Sequence, residues 1–177
     1  MGTECSLSTV EEAVLDLYVD ADACPVKDEI YRVAERCGLK VYVVANVLMR
    51  VPPREWLEAI VVKGSADAAD DWIAEHIQED DIAISADIPL ADRCLKRGAH
   101  VLGSKGQELT LETIGGALAT RALMDHLRGS GEVTGGPSAF TPKDRSKFLS
   151  KLDTVIQRIR RRRAPGRGGI ADVPPAP

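Results

Sequence analysis

Short apolar runs alternate with amphipathic stretches along most of the chain. AVLDLYVD (13–20) alternates, turns apolar and ends in acid, the pattern of a buried strand. In KDEIYRVAERCG, Ile30, Val33, Ala34 and Cys37 recur at helical spacing, Pro25 suits the first turn and Gly38 the C-terminal cap. KVYVVAN predicts a second strand, AIVVKG (59–64) a third, DIAISAD (81–87) a fourth and HVLGS a fifth. Between them, SADAADDWIAEHIQ predicts a helix capped at Ser65, and IPLADRCLKRG predicts another. Residues 109–128 read as a helix loosened by Gly115-Gly116, and GSGEVTGGPSAF as a glycine-rich loop, a candidate lid. Thr141-Pro142-Lys143-Asp144 supplies an N-cap, a first-turn proline and an early acid. It launches a helix over 142–163 whose apolar face comprises Phe148, Leu152, Val155, Ile156 and Ile159.

Strands and helices alternating at these lengths predict an α/β fold: a doubly wound, mainly parallel sheet flanked by helices, with a C-terminal helix. The expected domain is 13–163, including that helix. Residues 1–12 form an N-terminal extension, and 164–177, rich in proline and glycine without periodicity, a disordered tail.

Composition narrows the class. A chain of 177 residues, 44% hydrophobic, suffices for one sizeable core. The longest apolar stretch, Val41 to Leu48, is strand-sized, so no membrane span is expected. Acids occupy the N-terminus where a secretory signal carries basic residues, and Cys5, Cys24, Cys37 and Cys94 stand singly, without zinc or disulfide spacing. A cytoplasmic location with reduced thiols follows as the expectation. Residues 1–142 hold 13 Lys+Arg against 24 Asp+Glu, net −11, whereas residues 143–167 hold 10 against 2, net +8. An acidic body repels nucleic acid unless cations intervene, while a basic helix attracts phosphate.

Candidate chemistry sits where strands end. Asp20 and Asp22 lie two positions apart, which in an extended backbone puts both carboxylates on one face. Two such groups repel unless one takes a proton or a cation bridges them, and Mg2+ or Mn2+ prefers such oxygen ligands. The alternative is that Asp22 caps the next helix and Asp20 is solvated. Asp87 ends a second apolar strand, two residues after Ser85, with a capping role again open. In SADAADDW, Asp70 borders the buried face, while Asp67 and Asp71 point away and complement the helix dipole. Parallel strands feeding right-handed crossovers bring these ends to one edge.

YVDADACPVKDEI, KGSADAADDWI, DIAISADIPLADRCLKRGA and the later GGPSAF with KDRSKFLSKLD resemble the YaiI/YqxD family of bacterial PIN-like proteins over Leu17 to Asp153. The resemblance implies a central parallel sheet with an acidic Mg2+ or Mn2+ site. By position, Asp20 and Asp22 are its first-strand acids, Asp70 or its neighbours the middle acids, with Asp70 preferred as ligand, and Asp87 the fourth-strand acid, with catalysis assigned to Asp20, Asp22 and Asp87. Glu29 is the candidate for the glutamate often found on an early PIN helix. The implied reaction is metal-dependent phosphodiester hydrolysis of the ribonuclease type, with RNA as partner. Two alternatives stay open. One is a non-catalytic RNA- or protein-binding module on the same fold; the other is a haloacid-dehalogenase-like phosphatase, whose nucleophile motif D-A-D resembles.

Other residues read structurally. Cys24 opens a helix without a nearby histidine, His76, His100 and His126 lack ligand spacing, and GSKGQ (103–107) is a turn. Lys63 and Arg93 are secondary candidates for neutralising charge at the site. Arg158, Arg160, Arg161, Arg162 and Arg163 are the candidate RNA-binding residues. Removing residues 158–177 is expected to weaken RNA binding and to cost little stability, since Phe148, Leu152 and Val155 remain to dock the helix.

Overall fold

The computed structural model describes residues 15–22, 24–129 and 139–163. The predicted extension (1–12), most of the candidate lid (130–138) and the predicted tail (164–177) lie outside them. Eleven elements are described: β1 (Leu17–Asp20), α1 (Lys27–Cys37), β2 (Val41–Ala45), β3 (Leu57–Val61), α2 (Ala68–His76), β4 (Ile82–Ile84), α3 (Ile88–Lys96), β5 (His100–Leu102), β6 (Glu108–Leu109), α4 (Leu111–Gly129) and α5 (Pro142–Arg163). The strands form one sheet in the order β3-β2-β1-β4-β5-β6. All neighbours pair in parallel except β5 and β6, so the carboxyl ends of β1 to β5 share one edge.

Strand alternation divides the core into two layers. Leu17, Val19, Ile82 and Ile84 face α1 and α5, packing on Ile30, Val33, Phe148, Leu152, Val155, Ile156 and Ile159. Tyr18 and Ala83 face the other way, onto Ala69 and Ile73 of α2, Leu90, Ala91 and Cys94 of α3, and Ile114 of α4. The expected apolar stripe of α5 is buried at every named position. Its start is also as expected: Thr141 Oγ1 accepts from the Asp144 N–H at 3.2 Å, and Asp144 Oδ2 accepts from the Thr141 N–H at 2.9 Å. Gly38 closes α1 at φ 64°, where a side chain is strained.

Two expectations change. The helix expected at Ser65 begins at Ala68, because Asn46, at the end of β2, takes over the capping role. Asn46 Oδ1 accepts from the Ala69 N–H at 3.2 Å, and its Nδ2 donates to the Ala66 carbonyl at 2.7 Å. The turn expected at 103–107 is present, but it opens an antiparallel strand, β6, that two residues were too few to announce. At Gly106, φ 79°, an added Cβ would lie 2.9 Å from the Lys147 backbone, so the turn seats directly on α5. No helix among the described residues is long and apolar enough to cross a membrane.

Candidate acidic site at the carboxyl edge of the sheet

Asp20 is the last residue of β1 and follows Tyr18 at strand period, so it emerges toward α2 and α3. Ser85 follows Ala83 in the same way from β4. The Ser85 hydroxyl donates to Asp20 Oδ2 at 2.8 Å and accepts from the Asp87 N–H at 2.9 Å, tying the first and fourth strand ends together through one oxygen. Asp87 caps α3: its Oδ1 accepts from the Leu90 N–H at 2.8 Å. The capping role left open for Asp87 is therefore present, and so is its place beside Asp20. Asp22 lies in the turn beyond β1 and is exposed. Its backbone N–H supports the Asp20 carboxylate, and α1 has no side-chain cap, so Asp22 does not serve as one.

From α2, Asp70 lies half-buried, while Asp67 and Asp71 are exposed, as the helical wheel predicted. No hydrogen-bond donor or ion-pair partner among the described residues reaches the Asp70 carboxylate. Burial, then the charges of Asp20, Asp87 and Asp67, push its pKa from 3.8 up to about 6, against the charge of Arg93, which lowers it. Burial also raises the Asp20 carboxyl, against the Ser85 hydrogen bond, with Asp22 and Asp87 adding to the rise. A cleft of about 390 Å³ opens beside this cluster, lined by Ser65, Asp67, Asp70, Asp71, Asp87, Pro89, Leu90, Arg93 and Arg121. Arg93 Nη1 donates to Asp71 Oδ1 at 2.7 Å, and Arg121 Nη1, from α4, to Asp87 Oδ2 at 3.1 Å.

Repulsion among carboxylates is relieved by protonation or by a cation. Among the described residues, no three Asp, Glu, His or Cys side chains form a ready-made chelate. Asp20 accepts from the Ser85 hydroxyl and the Asp22 N–H, and the Arg93 charge partly offsets the rise at Asp70. Asp87 is less available, since both its oxygens are engaged. Lys63 is exposed.

The pKa of Asp70 sets a pH dependence. Between about pH 4 and 6 the folded state holds a proton that the unfolded chain has released, so stability falls as pH rises through that window. Asp70→Asn is expected to raise the melting temperature at pH 8 by about 2–4 °C, on the order of 1 kcal/mol after solvent screening. At pH 3.5 it should change nothing. Thermal melts with equal shifts at both pH values would contradict this electrostatic account.

Glu29 does not join the cluster. It is buried on α1, Oε1 accepts from Arg145 Nη1 at 2.7 Å, and Oε2 accepts no hydrogen bond from the described residues. Neither Asp20 nor Asp70 feels its charge among the principal causes of their shifts. Cys24 is half-buried and its thiol is pushed up to about 11, mainly by burial, so it holds its proton. His76 bonds the Trp72 carbonyl and stacks on that indole, while His100 lies near Arg158 and Glu108. Neither histidine approaches the acids.

The C-terminal arginines lie elsewhere. Arg162 and Arg163 pair with Asp80, just before β4, and Arg160 donates to the Cys37 carbonyl at the end of α1. These contacts are at the amino-terminal edge of the sheet, opposite the acids. Arg158 pairs with Glu108 of β6, and Arg161 is exposed. Much of the basic surface expected from the sequence is thus spent on neutralising the acidic body.

Arg121 and Asn46 are the site residues that sequence reasoning missed. A lone arginine on an amphipathic helix carries no local signal. Asn46 did: it ends the apolar run VYVVA just as Asp20 and Asp87 end theirs.

Comparison with known proteins places this arrangement. The profile described as "Uncharacterized BCR, YaiI/YqxD family" matches residues 18–158, which include every acid of the cluster. A UPF0178 protein of Bradyrhizobium sp. (strain ORS 278) is 59% identical over 156 residues, covering 88% of this chain and 95% of its own. One from Rhodopseudomonas palustris (strain HaA2) is 60% identical over 153 residues, covering 86% and 93%. One from Caulobacter sp. (strain K31) is 57% identical over 145 residues, covering 82% and 96%. No solved structure matches. On the profile match and these identities, the chain belongs to the YaiI/YqxD family.

Proposed function

We propose that the chain is a metal-dependent phosphodiesterase of the ribonuclease type, acting at the carboxyl edge of its sheet. The observation that carries this reading is Asp70: a half-buried carboxylate without a partner among the described residues, raised to about 6 beside Asp20 and Asp87 and lining a cleft. Such a group needs a proton or a cation, and the cleft leaves room for a phosphate with its cation.

A bound Mg2+ or Mn2+ would supply Lewis acidity toward a phosphoryl oxygen and lower the pKa of a water. Asp20 and Asp70 would hold it. Ser85 fixes the Asp20 carboxylate by its 2.8 Å hydrogen bond, and the N-terminus of α3 fixes Asp87. These supports let the acids meet the cation without reorganising. Arg93 and Arg121 on the cleft wall offer guanidinium groups to the anionic substrate. Cys24, protonated and half-buried, takes no part as a nucleophile. Single-stranded RNA is the proposed substrate. A cytoplasmic setting is part of the same reading, in keeping with the free thiols of Cys24, Cys37 and Cys94.

A second reading is favoured by one observation. Both oxygens of Asp87 are engaged, one by α3 and one by Arg121, which suits a non-catalytic RNA- or protein-binding module whose acids have been neutralised internally. Hydrolysis of a labelled RNA oligonucleotide by the full-length protein separates the two. Turnover with Mn2+ that stops in EDTA is expected for the phosphodiesterase; binding without turnover in any divalent metal would favour the module.

A further inference from the structure

α4 turns one side to the molecule: Ile114 is buried, and Leu118 half-buried, in the layer formed with α2 and α3. The other side is exposed and apolar. Leu111, Gly115, Ala119, Ala122 and Leu123 fall within about 120° of one helix face, the width of a stripe that a helix normally buries. Leu111 and Leu123 are 59% and 58% exposed. Gly115 and Gly116 sit in the helix interior, where glycine is less favourable than alanine, yet a Cβ added at either would meet no described atom within 4 Å. The fold of the single chain makes no use of the room they leave. Glycines on an apolar helix face let another backbone approach closely.

We propose that this face of α4 is the contact surface for a second copy of the chain, paired antiparallel about a two-fold axis at Ala119. The face is self-complementary about that residue. Reversal about Ala119 sets Leu123 level with Gly115 of the second copy, Ala122 with Gly116, and Glu112 with His126, all of them exposed. Large then meets small, and an acid meets an imidazole at both ends. Glu112 is already steadied by the Thr110 hydroxyl, 3.0 Å from Oε2. A parallel pairing would instead set each Glu112 against its own copy. The contact runs about 22 Å, from Leu111 to His126, which buries less than the ~1,200 Å² of strong complexes and gives a dissociation constant on the order of 10 μM. Arg121 of the same helix lines the acidic cleft, so the pairing places one cleft on either side of the two helices. It does not depend on what those clefts bind.

The residue on the axis supplies the test, because it meets its own copy. Sedimentation velocity is measured on the full-length protein from about 1 to about 300 μM, a range that brackets the expected affinity. The samples are wild type, Ala119→Glu and Ala119→Lys, the last two alone and mixed in equal amounts. Both substitutions put a good helix former at an exposed position. Wild type should pass from 19.1 kDa to twice that mass as concentration rises. Each variant alone sets like charges against each other on the axis and should dimerise at least about tenfold more weakly. Their mixture pairs opposite charges and should dimerise at least as tightly as wild type. Leu123→Gln should weaken the dimer about tenfold, and it carries the test if an Ala119 variant melts early. Wild type that stays monomeric at every concentration would overturn the proposal, in favour of a lipid surface if the monomer cosediments with phosphatidylcholine vesicles. Dimers of Ala119→Glu as tight as wild type would overturn it by placing the self-contact elsewhere. A mixture no tighter than its components would overturn the antiparallel two-fold at Ala119.

Discussion

Deleting residues 158–177 is expected to lower the melting temperature by about 10–20 °C, on the order of 4–6 kcal/mol for a chain of this size. Ile159 is 1% exposed between α5 and the sheet, and losing a buried isoleucine side chain alone costs roughly 2–5 kcal/mol. The deletion also removes Arg162 and Arg163, the partners of Asp80, whose side chain is only 10% exposed. A buried carboxylate stripped of its cations is a heavier loss than a surface ion pair. Glu108 would keep Lys151 at 2.9 Å but lose Arg158. Differential scanning calorimetry decides the matter. A melting temperature within about 3 °C of wild type would show that the last turns of α5 are ornamental. The sequence-based expectation was the reverse, a cheap truncation. The two expectations differ because helical periodicity reveals which residues are buried, whereas the contacts of the arginines depend on where Asp80, Cys37 and Glu108 fall in space.

Asp20→Asn should lower Mn2+-dependent hydrolysis by at least about 100-fold and leave the fold as stable as before, or more so. The amide keeps the shape of the carboxylate, and its oxygen can still accept from the Ser85 hydroxyl. What disappears is a charge that the fold holds at a cost, because burial raises the Asp20 carboxyl toward its neutral form. Loss of function with retained or improved stability is the expected signature of a group placed for chemistry rather than for folding. Steady-state turnover and thermal melts on the same preparation give both readings. Full activity in Asp20→Asn would remove Asp20 from the mechanism. A drop in melting temperature of more than about 5 °C would recast it as structural.

Much of the architecture was readable in advance for a definite reason. β1, β2 and β4 are short apolar runs bounded by polar residues, and α1, α3 and α5 carry both period and punctuation, such as Gly38 after α1 and Thr141-Pro142 before α5. Strand-end acids of a parallel sheet are brought to one edge by topology, so Asp20 and Asp87 could be paired from sequence; the single oxygen of Ser85 that joins them is the structural form of that rule. Asp22 shows how a strand end gives way to a turn. The ladder continues through the Ala21 N–H to the Val44 carbonyl, and Asp22 lies in the turn just beyond, exposed but still close enough for its charge to raise the Asp20 carboxyl. The start of α2 was misplaced because its cap is supplied by Asn46, about 20 residues earlier, rather than by the local Ser65. Arg121 was invisible for a related reason: its partner Asp87 lies 34 positions away, on another helix. Local chemistry is legible from local sequence, and charge balance across elements is not.

The most direct test of the account is a crystal of the full-length protein soaked in Mn2+, with the ion located by its anomalous scattering. The account predicts Mn2+ at the carboxyl edge of the sheet, held by Asp20 and Asp70. Mn2+ bound only at other surface carboxylates, with Asp20 and Asp70 unliganded, would contradict it.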